Sequence, residues 1–134
     1  MTAYVLDASV AVAAVRPGEP SHAAARARLA GLLTGADEIV VPSLFDVEVI
    51  SALVRGQALP ARAQKYLQVD LAPRKLVTIG PRSARAICGV VARTRLRAAD
   101  AAYVWVAIVH ELPLVTLDRE IGEKVAGMCR VEPP

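Results

Sequence analysis

Aromatic residues are scarce in this sequence: one Trp, one Phe and three Tyr make up 4% of its 134 residues. A binder that stacks successive bases on aromatic rings is therefore excluded, and any polynucleotide would be held mainly by its phosphates. Cysteine is almost as rare. Cys88 and Cys129 stand far apart with no C-x-x-C, and only His22 and His110 could add nitrogen ligands, which argues against zinc. Cys88 falls on a helical face with Ala84, Ile87 and Val91 and is expected to be a reduced core thiol. Long apolar runs are missing as well. The longest beyond the N-terminal segment, Ala101 to Val109, is far short of the ~20 residues that span a bilayer. The opening MTAYVLDASVAVAAV has no Lys or Arg before it and is interrupted by Asp7, so it does not read as a secretory leader. A soluble, cytoplasmic protein without membrane contact is expected.

No repeat, low-complexity tract, Gly/Ser linker or long charge run divides the chain, which predicts one domain over residues 1–134 with one core. The composition is 54% hydrophobic and 22% charged, which excludes disorder and suits strands buried on both faces. A mean hydropathy of +0.40 leaves apolar surface for a second chain, so self-association is expected. Net charge is +3 and the pI about 9.2, with arginine far outnumbering lysine. If four of the 13 acids are gathered in one site, 16 basic residues face the nine remaining acids and the rest of the molecule carries +7, a surface that attracts a polyanion.

Strands and helices alternate along the chain. Residues 3–6 form an apolar strand ending at Asp7, a helix runs from Ala8 to Val15, and Arg-Pro-Gly-Glu-Pro makes a turn at 16–20. Ser21 is expected to cap a helix to about Leu33. Glu38 to Val41 is a strand stopped by Pro42, and Ser43 with Asp46 resembles a capping box for a helix from Leu44 to about Arg55, ended by Gly56. Helices are predicted at about 60–69, from Pro81 to about Arg93, from about Asp100 to His110 and from about Arg119 to Ala126. The remaining strands are Leu76 to Ile79, Leu114 to Thr116 and about Met128 to Val131. This alternation predicts an α/β sandwich with a parallel sheet.

Among the acids, Asp7 and Asp118 follow strands directly or nearly so, and open parallel sheets place ligands beyond the carboxyl ends of their strands. Each is also a natural helix N-cap, as is Asp100. Glu48 shares a helical face with Leu44, Phe45 and Ala52 in an almost wholly apolar segment. An unpaired buried carboxylate costs several kcal/mol, so it needs Arg55, another protein group or a cation. Asp46 lies on the other side of that helix, where the capping role is expected. Asp100 shares a face with Tyr103, Val104 and Ala107 at the positive end of its helix. Ser9 and Thr116 offer hydroxyls that could orient carboxylates, although each also fits a local turn or cap. Four carboxylates meeting in a partly dry pocket would repel, and would take up protons or bind divalent cations. Oxygen donors without His or Cys favour Mg²⁺ or Mn²⁺, and such ions support phosphodiester hydrolysis without a protein nucleophile.

Four segments together resemble the PIN-domain family, and within it the toxin ribonucleases of VapBC-type toxin–antitoxin pairs. They are YVLDASVAVA at 4–13, VPSLFDVEVISAL at 41–53, LRAADAAYVWVA at 96–107 and LPLVTLDRE at 112–120. The resemblance implies that Asp7, Glu48, Asp100 and Asp118 are the catalytic, metal-binding acids, supported by Ser9 and Thr116. It further implies a central parallel sheet in the order 3-2-1-4-5 flanked by helices on both faces, a homodimer, and inhibition by a small VapB-type antitoxin that also binds operator DNA. The toxin itself would meet DNA only through that antitoxin. Ser51 departs from the pattern, since relatives often have Asn there.

Arg93, Arg95 and Arg97, with Arg82 and Arg85 upstream, lie just before Asp100 and are candidates for holding RNA phosphates, although a solvated helix end accounts for them equally well. The function expected is a Mg²⁺- or Mn²⁺-dependent endoribonuclease toxin cutting RNA by attack of activated water. One rival is a housekeeping PIN nuclease in RNA processing. Another, of a different class, is a Mg²⁺-binding phospho-acceptor receiver module, but that design expects paired acids after the first strand and a lysine after a late one, whereas Asp7-Ala8-Ser9 and a helical Lys124 stand here. A purely structural binding protein would leave Glu48 and Asp100 without a cation.

Overall fold

Successive residues of a strand point to opposite faces of its sheet, so a strand whose consecutive residues are all buried must be covered on both sides. This holds for β1 (Thr2–Leu6), where Tyr4, Val5 and Leu6 are buried, and for β2 (Asp37–Pro42), where Ile39 to Pro42 are. In the computed structural model, which describes residues 2–125 and 127–134, these two strands pair in parallel at the centre of a five-stranded sheet. The order is β3-β2-β1-β4-β5, with β3 at Arg74–Val77, β4 at Leu114–Val115 and β5 at Val131–Glu132. All four pairings are parallel. The 3-2-1-4-5 order is the one the resemblance implied.

Seven α-helices are found among the described residues: α1 (Ala8–Ala13), α2 (His22–Leu33), α3 (Leu44–Arg55), α4 (Pro60–Lys65), α5 (Pro81–Thr94), α6 (Ala98–His110) and α7 (Arg119–Lys124). A single π-helical stretch, Tyr66–Asp70, continues α4. Helix α6 packs on β1, β2 and β4, and α2 and α3 pack on β2. Residues Ala101 to Val104 are all buried, which a helix permits only in the interior of a fold. Tyr4, Tyr103, Phe45, Leu6 and Ile39 are the largest side chains wholly removed from water, and they join strands and helices into one core. No helix among the described residues is long and apolar enough to cross a membrane.

Several expectations shift. Strand β3 begins two residues before the predicted Leu76 and ends two before Ile79, because its register is set by β2: Ile39 faces Arg74 and Pro42 faces Val77. Lys75 and Leu76 on this edge are exposed, so hydrophobicity does not mark where pairing starts. Strand β5 is shorter and later than expected, pairing only Val131 and Glu132 with Leu114 and Val115. Helix α7 ends at Lys124; its expected end at Ala126 lies outside the described residues. Ser21 and Ser43 make no side-chain capping bond.

Asp46 does not act through a capping box either. Arg74 donates to both of its carboxylate oxygens, Nε to Oδ1 at 2.9 Å and Nη2 to Oδ2 at 3.0 Å, and its Nη1 donates to the Leu67 carbonyl at 2.8 Å. The side chain thus ties α3 to the sheet edge rather than to its own N-terminus. Cys88 is exposed, against the expectation of a core thiol. The buried stripe of α5 runs through Ile87, Val90 and Thr94, and position 88 lies to one side of it.

Candidate active site

Parallel pairing of β1 with β4 makes their chain exits neighbours. The Asp7 amide donates to the Val115 carbonyl at 3.0 Å, which extends the ladder by one step to the first acid. Asp7 is 7% exposed and caps α1. Its Oδ2 accepts two hydroxyls, Thr116 Oγ1 at 2.7 Å and Ser9 Oγ at 3.0 Å, while Oδ1 accepts the Ser9 amide at 3.4 Å. Thr116, itself buried, accepts the Asp118 amide at 3.0 Å. An unbroken chain of donors therefore runs from the Asp118 backbone through Thr116 to the Asp7 carboxylate. Asp118 caps α7 by accepting the Glu120 amide at 2.9 Å. For Asp7 and Asp118 the capping role and a place in the site coexist, since a cap occupies only part of a carboxylate's hydrogen-bonding capacity.

Glu48 is half-buried on the second turn of α3. Its partner is not Arg55, which is exposed, but the hydroxyl of Tyr103, which donates to Oε1 at 2.6 Å. Tyr103 is 0% exposed and stands one turn beyond Asp100 on α6. Asp100 is in the first turn of that helix rather than at its cap, which is Arg97 in an extended conformation. Its Oδ2 lies 3.6 Å from the Arg97 Nε, and the Arg97 side chain is 84% exposed. That contact is screened by solvent and worth little.

The charges nonetheless sense one another. Burial pushes the Glu48 carboxyl above its usual range, against the opposing Tyr103 hydrogen bond, and the charges of Asp7 and Asp100 push it further. Burial also raises Asp100, helped by Asp7 and Asp118 and opposed by Arg97. Burial holds the Tyr103 hydroxyl protonated far above the usual range of a phenol, reinforced by Glu48 and Asp7. The four acids thus form one electrostatic neighbourhood at the carboxyl edge of the sheet, on the starts of α1, α3, α6 and α7.

They do not close into the tight four-carboxylate cluster expected from sequence. Among the described residues, no three His, Cys, Asp or Glu side chains stand close enough to hold one ion together. The hydroxyl bonds to Asp7 and Glu48 keep those two carboxylates directed by their own neighbours. As a donor set, carboxylate oxygens without imidazole or thiolate suit a hard cation, and Mg²⁺ characteristically takes one or two protein carboxylates and keeps several waters. The residues present fit that mode.

The remaining expected residues flank this edge. Helix α5 ends in Arg95, whose φ of +60° reverses the chain, and Thr94 stitches the turn by donating to the Val90 carbonyl at 2.8 Å and accepting the Leu96 amide at 3.2 Å. Arg93, Arg95 and Arg97 are all exposed around this turn, and only Arg97 approaches an acid. Tyr103 is the residue that reading the sequence missed as part of the site. Its only signal was its place one turn after Asp100.

Several solved structures resemble the chain, three of them as follows. A VapBC2 complex from Rickettsia felis bound to a DNA fragment from its promoter has a chain 14% identical, with 98% of each chain covered and a TM-score of 0.72. PAE2754 from Pyrobaculum aerophilum is 24% identical over 97% of this chain and 83% of its own, with a TM-score of 0.69. A toxin–antitoxin complex from Klebsiella pneumoniae gives 16% identity, 96% and 95% coverage, and a TM-score of 0.69. At these identities the likeness establishes the fold. No protein of curated function matches the sequence. The model of the PIN domain matches residues 4–126, which takes in all four acids and sets aside the phospho-acceptor reading. The chain therefore belongs to the PIN-domain family.

Proposed function

We propose that residues 1–134 form one PIN domain that acts as a Mg²⁺- or Mn²⁺-dependent endoribonuclease, the VapC-type toxin of a toxin–antitoxin pair. PIN domains are nucleases, and two of the similar folds belong to toxin–antitoxin complexes. The observation that carries the reading is the hydrogen-bond geometry at the carboxyl edge of the sheet, where Thr116 joins Asp118 to the Asp7 carboxylate and Tyr103, one turn after Asp100, holds Glu48. Carboxylates directed in this way have a use when a divalent cation and a phosphodiester are to be brought together.

In this reading Asp7, Glu48, Asp100 and Asp118 would hold the ion, directly or through its waters. When bound, the ion supplies Lewis-acid stabilisation of the phosphate and a lowered pKa for attacking water. Thr116 and Ser9 fix the Asp7 carboxylate so that it does not rotate away from its task. Arg93, Arg95 and Arg97, exposed beside the Asp100 turn, attract the RNA backbone and set it against the acidic edge. Cleavage by water in line with the leaving 3′ oxygen leaves a 5′-phosphate and a 3′-hydroxyl. The partners of this reading are RNA as substrate, a VapB-type antitoxin, and a second copy of the chain in a homodimer. Operator DNA is met only through the antitoxin. A cytoplasmic location accords with an RNA substrate.

The test is incubation of the purified protein with total cellular RNA in Mg²⁺, Mn²⁺ or chelator, followed by mapping of new 5′ ends. Discrete 5′-phosphate ends that need the divalent ion are expected. Asp7→Asn and Asp100→Asn, nearly isosteric but uncharged, should abolish them while leaving the circular dichroism spectrum unchanged. Cleavage retained in both variants would defeat the assignment.

A further inference from the structure

The Tyr103 hydroxyl is placed where packing alone gives no reason for it. A phenylalanine would fill the same apolar volume on α6, and a phenol that is 0% exposed has to find its hydrogen-bond partner inside the protein. The partner it has is Glu48 Oε1 at 2.6 Å, the short distance of an O–H donating to a carboxylate, across 55 positions of sequence. Among the described residues no side-chain oxygen or nitrogen shut off from solvent lacks a partner. Glu48 Oε2 accepts no hydrogen bond from them, and so is not shut off from solvent. One oxygen of this carboxylate is committed inward and the other is left outward.

We propose that Tyr103 is the positioning residue for Glu48: its buried hydroxyl anchors Oε1, fixes the carboxylate rotamer, and leaves Oε2 as the single oxygen offered to a divalent cation. This inference rests on the metal-dependent reading above. It makes α6 carry two parts of the site at once, Asp100 as an acid and Tyr103 one turn later as the anchor of an acid on another helix. A carboxylate held in this way loses little rotational freedom when it takes up an ion. Groups that orient metal ligands from behind are generally worth about 10–100-fold in metal affinity.

The experiment compares Mn²⁺ binding to the full chain by calorimetry for wild type, Tyr103→Phe, Glu48→Gln and the double variant, with cleavage measured across a Mn²⁺ titration. Tyr103→Phe is expected to bind Mn²⁺ about tenfold more weakly and to recover cleavage at saturating Mn²⁺. In the Glu48→Gln background the same change should cost nothing further, because there is no carboxylate left to position. Tyr103→Phe binding within twofold of wild type, while Glu48→Gln loses affinity, overturns the role of Tyr103 and leaves the nuclease reading standing. Wild type that takes up no Mn²⁺ overturns both. Should Tyr103→Phe fail to fold, wild type decides the matter by itself: Mg²⁺ binding must perturb a tyrosine ultraviolet band, because the hydroxyl shares its carboxylate with the ion. A saturating Mg²⁺ titration with no tyrosine perturbation overturns the proposal.

Discussion

Replacing Asp46 decides whether α3, the helix that carries Glu48, is held by its own cap or by the edge of the sheet. If Asp46 served only the N-terminus of its own helix, replacing it would cost about 0.3–1 kcal/mol, the usual worth of a first-turn carboxylate. The geometry requires a different outcome. Both oxygens of Asp46 are engaged by the Arg74 guanidinium at 2.9 and 3.0 Å, and the third nitrogen of that fork holds the Leu67 carbonyl. The two side chains are 14% and 25% exposed. The pair lies between an exposed bridge, worth up to about 1 kcal/mol, and a buried one, whose rupture costs about 3–5 kcal/mol. About 2 kcal/mol follows for Asp46→Asn and Asp46→Ala alike, since both leave a mostly covered guanidinium without its counter-charge. With an unfolding entropy near 2.1 cal/mol/K per residue, a chain of this length loses about 3–4 °C for each kcal/mol, so Tm should fall by about 6–8 °C. Arg74→Met should cost a similar amount, and the double variant clearly less than the sum of the two. Urea unfolding followed by circular dichroism measures all four proteins. Asp46→Asn within about 0.5 kcal/mol of wild type, with additive behaviour in the double variant, would refute the ion-pair account.

Three further outcomes are expected. Thr116→Val removes the hydroxyl between the Asp118 amide and the Asp7 carboxylate; a hydrogen bond to a charged group is worth about 1.5–3 kcal/mol, so stability should drop by about that amount and cleavage should fail, while Thr116→Ser retains both. Stripped of divalent ions, the protein should become more stable as pH falls from neutral. Glu48 and Asp100 have folded-state pKa values raised above 4.5 and 3.8, so the stability they contribute is complete below those ordinary values and is lost as pH rises through the raised ones. Denaturation in chelator should show this gain in wild type and lose it in Glu48→Gln/Asp100→Asn; an equal gain in the double variant would contradict the assignment. Replacing Arg93, Arg95 and Arg97 together with Ala should weaken RNA binding and flatten its dependence on salt, and an unchanged salt slope would count against a role in holding phosphates.

Much of this was legible in the sequence because it is encoded locally. Gly56 after α3 and Pro81 at the start of α5 are a hard stop and a hard start that the structure respects, while Pro42, expected to stop β2, instead forms its last residue, opposite Val77. The four acids could be singled out because each interrupts an apolar segment or follows a strand. What failed was information that lives between segments. The Tyr103–Glu48 and Arg74–Asp46 bonds join residues 55 and 28 positions apart, and neither spacing leaves a periodic trace. Asp46 had a plausible local partner in Ser43, and a tertiary one replaced it. Cys88 was misplaced because α5 buries only a narrow stripe, so one position of rotation separates core from water. The spacing of the acids from one another was likewise beyond reach, since it depends on side-chain rotamers held by Thr116 and Tyr103.

The uniform direction of the five strands has a practical side. Chain segments that lead into β2, β4 and β5, around Gly35, Glu111 and Gly127, emerge at the opposite rim of the sheet from Asp7 and Asp118. Fluorophores, affinity handles or grafted loops belong on that rim. Gly35 itself holds a φ of +76° that a side chain would strain, so a reporter is better carried by its exposed neighbour Thr34, whose φ is −88°.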